Sequence, residues 1–173
     1  MKRFLQMVLL FCLMVPFFIP APVSAQYNKA ISADPVGLAF GIFNATYENK
    51  VGKSNSFTLF GSYFTFSGGD WVAFGFGGSY RWYLNVGDGN KALKGLSVGP
   101  YASLGFWQWK GSSIFNDYSG GTSVALGGEI AYKWILNGFV IEPIFRLAFN
   151  LMKITGLTYQ AYGLGVNLGY AWK

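Results

Sequence analysis

The residues of this chain that could do chemistry are few, and most are charged side chains set among glycines. Glu129, Lys133, Glu142 and Arg146 flank Asn137-Gly138, with Arg81 and Glu48 further back. Two carboxylates could serve as general acid and base, and a serine beside a lysine as nucleophile and base. No motif marks either arrangement. Histidine, the usual base near neutral pH, is absent from the chain. Cys12 is the only cysteine, which leaves no thiolate metal site and no disulfide framework.

What these charges can do is pair. Asn-Gly between two alternating runs signals a two-residue hairpin. A turn at Asn137-Gly138 sets Leu136 against Phe139, so opposed residue numbers sum to 275. Lys133 then faces Glu142, and Glu129 faces Arg146, both pairs opposite in sign. The other face obeys the same register, with Trp134 against Ile141 and Ile130 against Phe145. Pro143, which has no N–H, falls opposite Tyr132. A bulge there would shift the Glu129–Arg146 pair by one place and spare Lys133–Glu142. Arg146→Glu is expected to destabilise the protein, and Glu129→Arg in the same chain to restore much of the loss.

The elements that carry these residues alternate with period two, as strands do. Tyr162, Leu164, Val166, Leu168, Tyr170 and Trp172 share one face. Gly163, Gly165, Asn167, Gly169 and Ala171 share the other. The same alternation runs through Trp71–Leu84, Leu96–Trp109, Thr122–Leu136 and Phe139–Asn150, and more weakly through Ser56–Phe66. One face is bulky and apolar. The other is small or polar and carries Arg81, Tyr101, Glu129, Lys133, Glu142 and Arg146. A soluble sheet would put charge on its exposed face. Here the charges sit among glycine and alanine, which suits a narrow, filled interior and reads as a membrane-spanning β-barrel.

The beginning of the chain reads as a sorting segment. Lys2 and Arg3 precede the apolar run Phe4–Phe18, then Pro20-Ala-Pro22 and the small residues Val23-Ser-Ala25. This is a secretory signal peptide over residues 1–25, with Gln26 as the first mature residue and 26–173 as one barrel domain. Removal of Lys2 and Arg3 takes the formal charge from +6 to 6 − 2 = +4, too mild for nucleic acid as a partner. No apolar stretch after residue 25 is long enough for a spanning helix. In lipid, only helices and closed barrels satisfy all their backbone groups.

Parity sets the strand number. Tight turns of such barrels lie on the periplasmic side, which places Asn137-Gly138 there. Trp109–Gly121 and Ser67–Asp70 are then outer, and Asn85–Gly95 and Lys50–Asn55 periplasmic. For the mature N-terminus also to start in the periplasm, Ile31–Asn49 must go up and return, with a tight outer turn at Gly41–Phe43. The fold class is therefore all-β: a transmembrane, antiparallel, up-and-down barrel of eight strands. Phe57, Tyr80, Trp82, Tyr132, Trp134, Phe139, Tyr170 and Trp172 fall near the periplasmic rim, where amphipathic rings form a girdle.

The signal segment, the strand count and the final Gly169-Tyr-Ala-Trp172 strand resemble small outer-membrane barrels of Gram-negative bacteria, of the OmpA and OmpX type. Ala33-Asp-Pro-Val-Gly-Leu-Ala-Phe-Gly41 followed by Thr46-Tyr-Glu48 looks like an uncharacterised branch of them, in which a Pro-x-Gly-Leu strand leads into a Tyr-Glu strand. Gly95-Leu-Ser-Val-Gly-Pro-Tyr101 and Gly127-Gly-Glu-Ile-Ala-Tyr-Lys-Trp134 also look like motifs of that branch. The resemblance covers most of the mature chain. It implies the outer-membrane location and the fold. The expected partners are outer-membrane lipid and the barrel-assembly machinery, with the chain a monomer and no cofactor or metal expected. The resemblance implies no activity. Enzymes of this fold type use histidine, and the mature chain has none.

Two functional readings remain open. In the first, the barrel is non-enzymatic, with Glu48, Arg81, Glu129, Lys133, Glu142 and Arg146 plugging a lumen that eight strands leave just wide enough for side chains. Its role is then structural or at the surface. The outer loop Lys110–Gly120, with Ile114, Phe115 and Tyr118, would offer contacts to a partner that the sequence does not name. In the alternative, the barrel is a narrow channel or takes up a small hydrophobic ligand, with Trp107 and Trp109 lining a cleft at the outer mouth.

Overall fold

The computed structural model describes residues 27–66, 71–84, 92–110, 120–152 and 162–173. The leader, the Ser67–Asp70 turn and Ile114, Phe115 and Tyr118 lie outside the described residues. Eight strands form one closed barrel: β1 (Lys29–Ala33), β2 (Ile42–Lys50), β3 (Asn55–Phe66), β4 (Trp71–Tyr83), β5 (Gly95–Trp109), β6 (Gly121–Leu136), β7 (Phe139–Asn150) and β8 (Tyr162–Trp172). Each is antiparallel to the next, and β8 returns to pair with β1.

The β6–β7 hairpin turns on two residues with positive φ, Asn137 at 54° and Gly138 at 89°. This is the primed turn that matches strand twist, and it explains why Asn-Gly stands there. Residue numbers sum to 275 both above and below Pro143, from Glu129↔Arg146 to Leu136↔Phe139. The proline therefore interrupts the ladder without inserting a bulge.

The first hairpin differs from expectation. No tight turn joins two strands at Gly41–Phe43. A short helix, α1 (Pro35–Ala39), stands between β1 and β2. Asp34 caps it, its Oδ1 accepting from the backbone N–H of Val36 and of Gly37, each at 3.0 Å. Pro35 occupies the first turn, where its missing N–H and fixed φ suit a helix. The Pro-x-Gly-Leu segment is thus helical rather than extended. Gly41 takes φ +78° to lead back into β2.

The polarity of the barrel is inverted relative to a soluble one. Ser56, Thr58, Ser97, Arg81 and Glu142 are fully buried inside, while Phe74, Leu126, Leu147, Phe149 and Leu164 stand exposed outside. An exterior of this kind needs an apolar solvent. Tyr80 and Trp82, 5.3 Å apart, and Tyr132 and Trp134, 4.5 Å apart, lie toward the end that holds Asn137-Gly138. Tyr170, opposite Phe139, and Trp172, opposite Lys29, join them there. Inside, toward that end, Ala30, Val140 and Ala171 pack with Tyr27 and Ile135. Toward the other end Trp71, Ala73 and Trp107 pack with Phe64 and Trp109.

Candidate functional site

Between these two apolar layers lies a layer of charge. Arg81 enters it from β4, beside Ser79 and Tyr83 on the same face. Glu48 comes from β2, Glu129 and Lys133 from β6, Glu142 and Arg146 from β7, and Asn167 from β8. Arg81 Nε donates to Glu129 Oε1 at 2.5 Å, and its Nη1 reaches Glu48 Oε2 at 3.0 Å and Glu142 Oε1 at 2.7 Å. Lys133 Nζ bonds Glu48 and lies 3.2 Å from Glu142 Oε1. Arg146 Nε donates to Glu129 Oε2 at 3.0 Å.

Neutral donors complete the shell. Ser56 and Tyr83 donate to Glu48, the latter at 2.7 Å. Ser79 donates to Glu129, and Asn167 Nδ2 to Glu142 Oε2 at 3.0 Å. All six carboxylate oxygens of Glu48, Glu129 and Glu142 thus have partners, and these are the chain's only glutamates. Three anions meet three cations, so the layer is neutral. Glu48, Arg81, Lys133 and Glu142 are at most 2% exposed. Taking each such charge out of water costs several kcal/mol, which only the partners offset.

One glycine makes the hub possible. Gly99 of β5 faces Glu129 on one side, and the β4–β5 register, from Ser79↔Tyr101 to Trp82↔Val98, sets it opposite Arg81 on the other. The guanidinium therefore crosses bare backbone to reach Glu129. A Cβ on Gly99 would lie 1.8 Å from the Tyr80 carbonyl oxygen. Gly99→Ala is expected to cost about 1–3 kcal/mol through overpacking, read as a lower denaturant midpoint. Gly128→Ala, where the nearest atom is 3.6 Å away, should stay within about 0.5 kcal/mol of the parent. Equal midpoints for the two variants would argue against the close approach.

Above the charge layer the interior changes character. Arg146 lies over two rings, 4.7 Å from the centroid of Phe60 and 5.1 Å from that of Tyr101. Beyond it is a cavity of about 320 Å³, lined by Phe60, Phe64, Tyr101, Ile144, Arg146 and β8 glycines. Trp107 and Trp109 are not among the lining residues. Trp107 is buried, its Nε1 donating to Ser123 Oγ at 2.9 Å and its ring 5.9 Å from Phe64. The Trp109 ring is 5.1 Å from Trp71. Both pack the wall.

The structure thus brings Glu48, Arg81, Glu129, Lys133, Glu142 and Arg146 into one network across the lumen. Sequence reasoning left out Ser56, Ser79, Tyr83 and Asn167, although alternation puts Ser79 and Tyr83 on the face of Arg81 in β4 and Asn167 on the face of Ala171 in β8. It also left out Phe60, on the weakest strand.

No protein-family model matches the chain, and no curated protein matches it. Its fold is similar to that of the Yersinia pestis outer membrane protein Ail, solved in a phospholipid bilayer nanodisc, at a TM-score of 0.52 and 16% identity, over 84% of this chain and 99% of that one. It is also similar to the N-terminal β-barrel domain of Pseudomonas aeruginosa OprF, at a TM-score of 0.54 and 12% identity, over 85% and 98%. The fold is that of the small eight-stranded barrels of bacterial outer membranes.

Proposed function

We propose that the chain is a non-enzymatic outer-membrane barrel whose lumen is plugged by its own side chains, with a structural or surface-interaction role. It would lie in outer-membrane lipid as a monomer and be folded there by the barrel-assembly machinery. The observation that carries this reading is the neutral charge layer. It links β2, β3, β4, β6, β7 and β8 across the lumen and leaves none of its carboxylate oxygens without a partner. Carboxylates so engaged do not offer a base to a substrate, which supports a non-catalytic role. The reversed polarity and the aromatic rim support the bilayer location.

Single-channel recording tests the plug. The refolded barrel is expected to show no conductance steps in a planar bilayer, and steady open-pore currents would replace the plug with a channel. Sorting is tested separately. Mature protein is expected to begin at Gln26 and fractionate with the outer membrane, and retention of Met1 would remove the leader. An epitope inserted at Asn137-Gly138 should be hidden on intact cells, and one near Asn116 accessible. The opposite pattern would invert the barrel.

A further inference from the structure

The wall of the barrel is incomplete on one side. β1 ends at Ala33, so β8 pairs with it only from Leu168 to Trp172. β2 likewise pairs with β1 only from Ala45 to Asn49. Past those points Tyr162–Asn167 of β8 and Ile42–Asn44 of β2 have no β1 strand between them. The short α1 occupies the notch instead, with Val36, Leu38 and Phe40 exposed.

The 320 Å³ cavity lies behind this notch. Its lining includes Val36 of α1 and Phe40 just after it, and also Leu164, which is 82% exposed on the outer face of β8. The cavity is therefore continuous with the apolar exterior. Its depth comes from Gly163, where an added Cβ would meet nothing within 4 Å. Two of its lining residues carry a buried polar atom without a partner, Nη2 of Arg146 and Oδ1 of Asn44. Arg146 already gives its Nε to Glu129, so what it offers the cavity is a charged N–H rather than a spare positive charge. Asp34 also lines the cavity, its Oδ1 engaged by two α1 amides.

We propose that this notch cavity binds a small hydrophobic molecule bearing one polar oxygen group, which enters sideways from the bilayer past α1 and Leu164. The oxygen accepts from Arg146 Nη2 and the apolar body lies along Phe60, Tyr101 and Ile144. At about 30 Å³ per heavy atom, as in liquid water, the volume suits about ten non-hydrogen atoms. The Asp34 carboxylate disfavours a second anion, so a neutral head is expected to bind more tightly than a carboxylate. The inference rests on the plugged lumen only in taking the charge layer as the cavity floor. Open-pore currents together with a normal titration would sink the plug and leave the pocket standing.

The test uses the isotopically labelled barrel in phosphatidylcholine nanodiscs, titrated with octan-1-ol, octanoate and octane, and followed at the Gly165 amide resonance. Octan-1-ol is expected to give a saturable shift, with octane at least about tenfold weaker, the factor that about 1.4 kcal/mol represents. Octan-1-ol and octanoate separate a neutral head from an anionic one, and either binding above octane supports the proposal. Gly163→Phe fills the cavity and should weaken the octan-1-ol shift more than tenfold without lowering the melting temperature. Ala125→Leu, from another part of the lining, serves if that variant does not refold. No saturable shift in the parent barrel, equal binding of octane, or unchanged binding in the filled variant would overturn the proposal.

Discussion

Replacement of Arg81 by methionine is expected to cost the refolded barrel about 3–5 kcal/mol, the penalty for breaking a buried charge pair, and to leave part of the protein unable to refold. The volume is nearly kept, so packing contributes little to the loss. What is lost is the one group that touches Glu48, Glu129 and Glu142 together. Lys133 and Arg146 remain, and three buried carboxylates then share two cations. A second change separates charge from geometry. Arg81→Met with Glu142→Gln removes one charge of each sign, so the double variant should recover part of the loss. Denaturant midpoints in a fixed lipid or detergent read both. If Arg81→Met stays within about 0.5 kcal/mol of the parent, water fills the lumen in solution and screens the charges.

Arg146→Glu is expected to destabilise by a similar amount, since it sets a carboxylate against Glu129. The informative variant is the charge swap. Were Glu129 and Arg146 an isolated hairpin pair, Glu129→Arg in the same chain would restore most of the loss. In the barrel it should not. Glu129 also accepts from Arg81 Nε at 2.5 Å and from Ser79. An arginine at 129 would face the Arg81 guanidinium with no anion between them. The double variant is therefore expected to be no more stable than Arg146→Glu alone. The four proteins of a double-mutant cycle measure this, and strong recovery would mean that the Arg81–Glu129 contact contributes little.

The contrast between these two expectations shows how far the sequence was legible. Asn137-Gly138 and period-two alternation fix a register, and the register alone places Lys133 by Glu142 and Glu129 by Arg146. Those inferences need only one hairpin. The Arg81 hub needs two more registers, β4 to β5 and β5 to β6, and the connections there are too long for a two-residue turn to count from. Asp34-Pro35 is a helix start, but a five-residue helix is too short for its periodicity to appear. Tyr47 and Glu48 alternate well enough to suggest strand throughout Ile31–Asn49. The cavity was harder still. It follows from what is small or missing, Gly163 and a short β1, and an absence leaves no pattern in a sequence. Trp107 and Trp109 are large and conspicuous in the sequence, yet they are not among the residues that line this cavity.

The shortness of β1 also decides how the molecule comes apart. It holds each neighbour through five residue pairs, whereas β5 and β6 share thirteen. Local opening draws on the element with the fewest cross-strand bonds. β1 should therefore peel away first on heating or under tension, carrying α1 with it, and the amides of Lys29–Ala33 should exchange with solvent deuterium well before those at the centre of β6. Resistance to unfolding is then a matter of rate more than of depth. The lifetime of the closed ring is set at a five-rung seam, however firmly the charges on the far strands hold one another.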